Sequence, residues 1–91
     1  MRNIFRVDAW TIDANGAYHG VEGYPKNFDS NNYQNDADKA YRRADGDASG
    51  VWEDFCKQDT RQIQTVMLSD ISGNLIYKKS MGKFPDEPVN S

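Results

Sequence analysis

Residues Tyr33 to Lys57 read YQNDADKAYRRADGDASGVWEDFCK, and this stretch decides the fold. Its apolar residues recur at the i, i+3, i+4 and i+7 spacing of a single helical face and fill an arc of roughly 120°. They are Ala37, Ala40, Tyr41, Ala44, Ala48, Val51, Trp52 and Phe55. With Asn35 or Asp36 as the N-cap, the pattern predicts one amphipathic helix from about Asn35 to Lys57. The side chains expected to be buried are Ala37, Ala44, Ala48, Val51 and Phe55.

The middle of this stretch, Asp45-Gly46-Asp47-Ala48-Ser49-Gly50, is similar to the first half of an EF-hand calcium loop. The position where a bidentate Glu would close such a loop is Cys56. The apolar residues before and after the string also lie on one helical stripe, and a loop would have no reason to preserve that phase. The sequence therefore predicts an unbroken helix that needs no metal and no cofactor. Calcium binding through Asp45–Gly50 is a remote alternative.

Strand-like segments flank the helix on both sides. Four segments rich in β-branched and aromatic residues predict strands: Ile4–Asp13, Ala17–Tyr24, Arg61–Ser69 and Leu75–Met81. Asp13–Gly16 and Asp70–Asn74 are the expected hairpin connections, and in the first of them Asn-Gly readily takes the positive φ that a tight turn requires. Pro25–Asn32 has turn-like composition and is expected to be irregular.

These elements predict an α+β domain with the order ββαββ. A four-stranded antiparallel sheet would carry the long helix on one face. The chain of 91 residues is enough for one domain and one modest core. We expect the domain to span residues 1–82 and residues 83–91, with two prolines, to form a flexible tail.

Composition limits the functional classes. The net charge is −3, with 11 basic and 14 acidic residues, which disfavours direct binding of nucleic acid. Cys56 is the single cysteine, so neither an internal disulfide nor a cysteine-built metal site is expected. There is no signal-peptide pattern, and no apolar run approaches the roughly 20 residues of a membrane span. The expected compartment is the cytoplasm.

Catalysis has few candidates in this chain. His19 and Cys56 are the only side chains suited to nucleophilic or acid–base work near neutral pH. No nucleophile elbow, phosphate loop or metal-ligand spacing accompanies them. We therefore assign no catalytic residue and expect a protein that is not an enzyme.

Acidic residues raise a second hypothesis, since an acidic protein can imitate DNA. Between Asp36 and Asp59, seven acids stand beside four bases. Several are spaced to pair along a helix: Asp38 with Arg42, Glu53 with Lys57, and Arg43 with Asp47. Paired charges are typical of a solvated helix face, so a DNA mimic that blocks a nucleic-acid-binding site ranks second.

Four aromatic side chains on predicted strands have no obvious place in the core: Trp10, Tyr18, Tyr24 and Tyr77. Tyr and Trp are enriched in protein interfaces, so we expect these four to form a partner-binding surface on the sheet face away from the helix. The outer face of the helix, with Asp45 and Glu53, is the competing surface. A homodimer sealed by the same aromatics is a further alternative.

The arrangement resembles short accessory proteins encoded by phages and prophages. The resemblance is carried by the first strand FRVDAW, the D-x-N-G hairpin, the Ala-rich helix and the closing SGNLIYKK hairpin. This group includes anti-CRISPR and other anti-defence proteins, which are typically small, acidic and non-enzymatic. The resemblance implies an inhibitor that occupies the surface of a host protein or protein–nucleic-acid complex in the host cytoplasm.

Overall fold

The computed structural model describes residues 3–58 and 62–82. The fold is α+β, with one long helix on one face of an antiparallel sheet. In chain order the elements are β1 (Ile4–Ile12), β2 (Tyr18–Gly20), β3 (Lys26–Asp29), a 3-10 helix (Ser30–Tyr33), α1 (Ala37–Lys57), β4 (Ile63–Asp70) and β5 (Leu75–Met81). The predicted tail 83–91 and residues 59–61, which include Arg61 of the predicted third strand, lie outside the described residues.

The sheet has five strands rather than the predicted four. Its order is β2-β1-β4-β5, and β3 also pairs with β1. Since β2 pairs with Trp10–Ile12 and β3 with Ile4–Val7, the two short strands follow one another along the same edge of β1. At the opposite edge, β5 carries a bulge next to Leu68 and Ser69 of β4.

Two predictions about this region were wrong. The predicted strand Ala17–Tyr24 is a strand only at Tyr18–Gly20, and the chain then leaves the sheet through Val21–Pro25, where Gly23 has a φ of +89°. Pro25–Asn32 was expected to be irregular, yet it contains β3 and most of the 3-10 helix. β3 forms because the departure of β2 leaves the edge of β1 unpaired, and Phe28 takes a place opposite Phe5.

The predicted helix is confirmed, and it runs without a break through Asp45–Gly50. Asp36 is its N-cap, and its carboxylate accepts hydrogen bonds from the backbone N–H groups of Asp38 and Lys39 at 3.0 and 3.3 Å. The buried residues of α1 are Ala40, Ala44, Ala48 and Phe55. Ala37 and Val51, which were expected to be buried, are half-buried.

The core lies between α1 and the sheet. Its fully buried members from the sheet are Val7, Ala9, Val66 and Leu68, and they face Ala44, Ala48 and Phe55 of the helix. The helix can approach the sheet closely because its central contact residues are alanines. At one end, the Phe5 and Tyr41 rings meet edge to face with centroids 5.5 Å apart. This packing buries one sheet face and fixes which strand residues remain on the other.

Candidate functional site

The sheet face opposite α1 is the candidate functional site, and we call it the open face. No described element packs over it; α1 and the 3-10 helix both lie on the other side or at the margin. Strand alternation and pairing place the following residues on the open face: Ile4, Arg6, Asp8, Trp10 and Ile12 of β1, Tyr18 of β2, Asn27 and Asp29 of β3, Ile63, Thr65, Met67 and Ser69 of β4, and Lys78 and Ser80 of β5.

One end of the open face is apolar. Tyr18 pairs with Ile12, and Ile12 also pairs with Ile63 across the other edge of β1, so these side chains form a row across three strands. Tyr18 is 71% exposed, whereas Ile12 and Ile63 are half-buried. Trp10 follows on β1, half-buried, with the Lys78 ammonium 5.9 Å from its ring centroid. This end therefore presents two aromatic rings beside two isoleucines.

A cavity of about 350 Å³ lies at the other end of the open face. Its lining residues are Ile4, Arg6, Asn27, Ser69, Asp70, Ile71 and Gly73. The backbone N–H of Ile71 donates to the carbonyl of Ile4 at 2.9 Å, which continues the pairing of β1 with β4 into the β4–β5 turn. Because Ile71 is 66% exposed, one wall of the cavity is an apolar side chain in contact with water. The face thus combines a flat apolar end with a concave end.

The open face carries two cations, Arg6 and Lys78, and two carboxylates, Asp8 and Asp29. The Arg6 guanidinium lies 3.8 Å from the Asp8 carboxylate, a long ion pair with the Arg6 side chain half exposed. Asp8 also accepts a hydrogen bond from the backbone N–H of Ala9 at 2.9 Å. Lys78 has no carboxylate partner among the described residues. The open face therefore carries two cations and two carboxylates, and among them Lys78 is the cation that no described carboxylate neutralises.

The structure places only two of the four predicted aromatic residues on the open face. Trp10 and Tyr18 lie on the open face, but Tyr24 and Tyr77 do not, so their predicted placement was wrong. The Tyr24 hydroxyl donates to the Asp47 carboxylate at 2.6 Å, and the Tyr77 hydroxyl donates to the Asp45 carboxylate at 2.7 Å. Burial, reinforced by the carboxylate neighbour, raises the pKa of each tyrosine above its usual value. Both tyrosines therefore belong to the contact between helix and sheet.

These two bonds fasten the middle of α1 to both margins of the sheet. Tyr77 lies on the edge strand β5, whereas Tyr24 lies in the segment between β2 and β3 at the opposite edge. Asp45 and Asp47 are two residues apart on a helix and point to different sides. The resemblance to a calcium loop is therefore not realised, because these carboxylates diverge on an unbroken helix. Among residues 3–58 and 62–82, no group of three or more His, Cys, Asp or Glu side chains could hold a metal ion.

The ion pairs predicted for the outer helix face are only partly present. Asp38 and Arg42 form the expected pair at 3.0 Å. The expected pair of Arg43 with Asp47 was wrong, because Asp47 bonds instead to Tyr24 and lies 3.6 Å from the Lys26 ammonium. Glu53, the other predicted contact residue of the helix, is exposed. It forms no ion pair with Lys57 in the part of the chain that the structure describes.

The two residues considered for catalysis lie apart and have local partners. The His19 imidazole is 2.8 Å from the Asp13 carboxylate in the first hairpin, and both side chains are partly exposed. The hydrogen bond with His19 is the main cause of a lowered pKa for Asp13. Cys56 lies near the end of α1, with its thiol 4.0 Å from the Met81 sulfur. Neither residue joins a nucleophile–base pair within the described residues.

Several open-face residues were not singled out from the sequence. They are Arg6, Ile12, Ile63, Met67, Ile71 and Lys78. The alternation of β1 and β4 already separates Arg6, Ile12, Ile63 and Met67 from the core set, so for these four the signal was present in the strand pattern. The concave end could not be found in this way, because it depends on the β4–β5 turn lying beside Ile4 of β1.

Comparisons with known proteins give no match: no family model, no curated protein and no solved structure is similar to this chain. Within the described residues, no helix has both the length and the apolar character needed to span a membrane.

Proposed function

We propose that this chain is a small non-enzymatic protein-binding module that docks through its open face. The occupant is a partner protein whose surface offers apolar side chains together with carboxylates. The observation that carries the proposal is the open face itself: Trp10 and Tyr18 stand beside isoleucines on a sheet face that no described element covers.

The physical basis is the energy available from rigid aromatic rings. Trp and Tyr bury about 150–250 Å² each and lose little side-chain entropy when a partner covers them. Trp10 is already held by its half-buried setting, so docking does not have to order it from a mobile state. Trp is among the residue types that most often dominate binding energy at interfaces.

The cations of the open face indicate which charge the partner surface should carry. Arg6 and Lys78 are the cations of the open face; Arg6 forms only a long ion pair with Asp8, at 3.8 Å, and Lys78 has no carboxylate partner among the described residues. Carboxylates on a partner would meet these cations at the edge of the apolar surface and would favour encounter in the correct orientation. The partner surface should therefore be acidic as well as apolar, which fits a protein better than it fits a nucleic acid.

The same charge distribution disfavours the DNA-mimic alternative. Such a mimic needs unpaired acids in a row, but most described carboxylates already act within the fold. Six of them cap helices, close turns or bind tyrosine hydroxyls: Asp13, Asp29, Asp36, Asp45, Asp47 and Asp70. Glu53 on the helix is exposed, but it lies on the opposite side of the domain from the open face.

A finer proposal concerns the biological setting. We propose that the module is a phage- or prophage-encoded inhibitor of the anti-CRISPR or anti-defence type, acting in the host cytoplasm on a host protein or protein–nucleic-acid complex. The sequence resemblance supports this setting, and occupation of a host surface is what an exposed aromatic face would accomplish. Genes for defence systems or phage structural proteins next to this gene would support it, whereas a conserved housekeeping operon would oppose it.

A photo-crosslinking experiment tests the proposed docking face. One variant carries a photoreactive phenylalanine analogue at Tyr18, and the matched control carries it at Glu53; both sites are exposed. In cells that naturally express the chain, we expect one dominant adduct at position 18 that excess unlabelled protein competes away and Trp10→Ala abolishes. Mass spectrometry should locate it on an acidic, apolar surface of the partner.

The other outcomes are equally informative. A dominant adduct from position 53 alone would assign binding to the helix and overturn the open-face proposal. An adduct between two copies of this chain would show that the face seals a homodimer. Equal labelling of many proteins at both positions, insensitive to Trp10→Ala, would show that neither surface has a specific partner.

A further inference from the structure

A second cavity, of about 380 Å³, lies on the helix side of the domain, away from the open face. Its lining residues are Asn32, Tyr33, Gln34, Lys39, Arg42 and Arg43. One wall is the end of the 3-10 helix with the residue after it, and the other is the first half of α1. Its volume falls within the range typical of small-molecule sites. We call this the basic pocket, because half of its lining residues are cations.

The three cations of the basic pocket are spaced to repel one another. Lys39, Arg42 and Arg43 stand at i, i+3 and i+4, which places all three on one side of the helix. Like charges at this spacing destabilise an isolated helix by about 0.2–0.5 kcal/mol per pair. Lys39 also lies in the first turn, where the helix dipole favours an anion. An acidic chain thus concentrates positive charge where its helix would be more stable without it.

The charges of the basic pocket are only partly neutralised by the protein. Arg42 alone has a carboxylate partner, Asp38 at 3.0 Å. The Lys39 ammonium donates to the neutral Gln34 amide oxygen at 3.0 Å. The Arg43 guanidinium lies over the Tyr33 ring, 5.9 Å from its centroid. Within the described residues, neither Lys39 nor Arg43 pairs with a carboxylate.

The diversion of Asp47 explains why Arg43 remains available. Asp47 is four residues after Arg43, the spacing at which the two would normally pair. Its carboxylate instead accepts the Tyr24 hydroxyl and approaches Lys26, on the side of the helix that faces the sheet. Arg43 is therefore left to the pocket, where its guanidinium carbon lies 5.9 Å from the Tyr33 ring centroid and no carboxylate of the described residues pairs with it.

The opposite wall of the basic pocket is fixed by backbone hydrogen bonds. The N–H groups of Gln34 and Asn35 both donate to the carbonyl of Ser30, and the N–H of Asp36 donates to that of Tyr33. Ser30 is itself fully buried, and its hydroxyl accepts the backbone N–H of Asn3 at 3.0 Å. The amides of Asn32 and Gln34 are thereby presented by an anchored segment. A ligand would meet a wall whose backbone is already ordered.

We propose that the basic pocket binds the phosphate group of a small molecule. Arg43 would supply a planar pair of donors, and Lys39 a point charge, to a phosphate dianion. The side-chain amides of Asn32 and Gln34 would contact hydroxyl or carbonyl groups attached to that phosphate. The shared chemistry is a phosphate dianion, which could come from inorganic phosphate or from a phosphate monoester such as a nucleotide.

Titrations followed by ¹H–¹⁵N correlation spectra at low ionic strength test the proposal. The probes are inorganic phosphate, adenosine monophosphate and adenosine. We expect the two phosphates to shift the backbone signals of residues 32–43 in a saturable way, and adenosine to shift none. Arg43→Gln combined with Lys39→Gln should weaken binding at least tenfold. Lys57→Gln, a matched change at an exposed lysine outside the pocket, should leave the affinity unchanged.

The outcomes answer two questions: which molecule supplies the phosphate, and whether the basic pocket binds it. Tighter binding of adenosine monophosphate would indicate a phosphate monoester as the ligand, whereas equal affinity would indicate free phosphate. Shifts spread over all lysines without saturation, or an affinity that the double variant retains, would overturn the site. The lining cations are exposed, so the variants should keep the melting temperature within a few degrees. Trp10→Ala should not alter phosphate binding, because the open face is on the other side.

Discussion

Tyr77→Phe gives the sharpest test of how the helix is held on the sheet. The change removes one hydroxyl, which donates to the Asp45 carboxylate at 2.7 Å, and keeps the ring against the core. A hydrogen bond to a charged acceptor contributes about 1.5–3 kcal/mol. Since both residues are half-buried, water can partly replace the lost donor, so we expect a loss near the lower limit, about 1.5 kcal/mol. The melting temperature should fall by about 6–12 °C in a domain of this size.

A double-mutant cycle isolates this bond from other effects of each substitution. Tyr77→Phe, Asp45→Ala and the double variant would be unfolded in urea and followed by circular dichroism. Asp45→Ala also raises helix propensity, and the cycle cancels that contribution. We expect a coupling energy of about 1 kcal/mol or more. Tyr18→Phe, which removes an exposed hydroxyl, is the control and should change stability by less than about 0.5 kcal/mol. Additive effects of the two single variants would refute the proposed role of the bond.

Three further predictions concern stability and binding. Gly46→Ala should stabilise the protein by about 0.5–1 kcal/mol, because the new Cβ meets open space on a helix. Gly82→Ala should destabilise it, because Gly82 has a φ of +98° and the new Cβ would meet the backbone carbonyl of Gln62. Urea titration measures both changes in the free energy of unfolding. Tyr24 and Tyr77 ionise more readily in the unfolded chain, so the stability that they contribute should be present below about pH 10 and lost as the pH rises further. In a variant with both tyrosines changed to Phe, the melting temperature should fall less steeply above about pH 10, which melting curves at several pH values measure. Trp10→Ala should weaken binding of the partner that crosslinking identifies by about 2 kcal/mol or more. The same variant should bind phosphate with unchanged affinity, and calorimetry can measure both.

The helix was predictable because its signal is both long and redundant. Its apolar stripe keeps the same phase on both sides of Gly46 and Gly50, so the phase alone excludes a loop at the calcium-like string. Strands β1, β4 and β5 were predictable from composition and from the turns between them. β3 was not, because Lys26–Asp29 has little strand character of its own and is extended only through pairing with the vacant edge of β1.

The site was predictable only where strand alternation decides the face. Trp10 and Tyr18 occupy the face that alternation assigns to them. Tyr24 and Tyr77 do not, because their hydroxyls have partners 23 and 32 residues away, and no local pattern records such a bond. The basic pocket escaped prediction for a related reason, since Arg43 lacks a carboxylate only because Tyr24 and Lys26 engage Asp47.

The bulge in β5 has a consequence for how copies of this chain can stack. β5 borders the sheet with a row of outward N–H and C=O groups, which in a flat strand would template the addition of another chain. Here the bulge interrupts the row, and Lys78 and Lys79 place two charges beside it. The opposite border is divided between β2 and β3, each too short to act as a template. Neither border of the sheet therefore offers a long regular strand onto which further copies could add, although one face of the sheet carries exposed aromatic side chains.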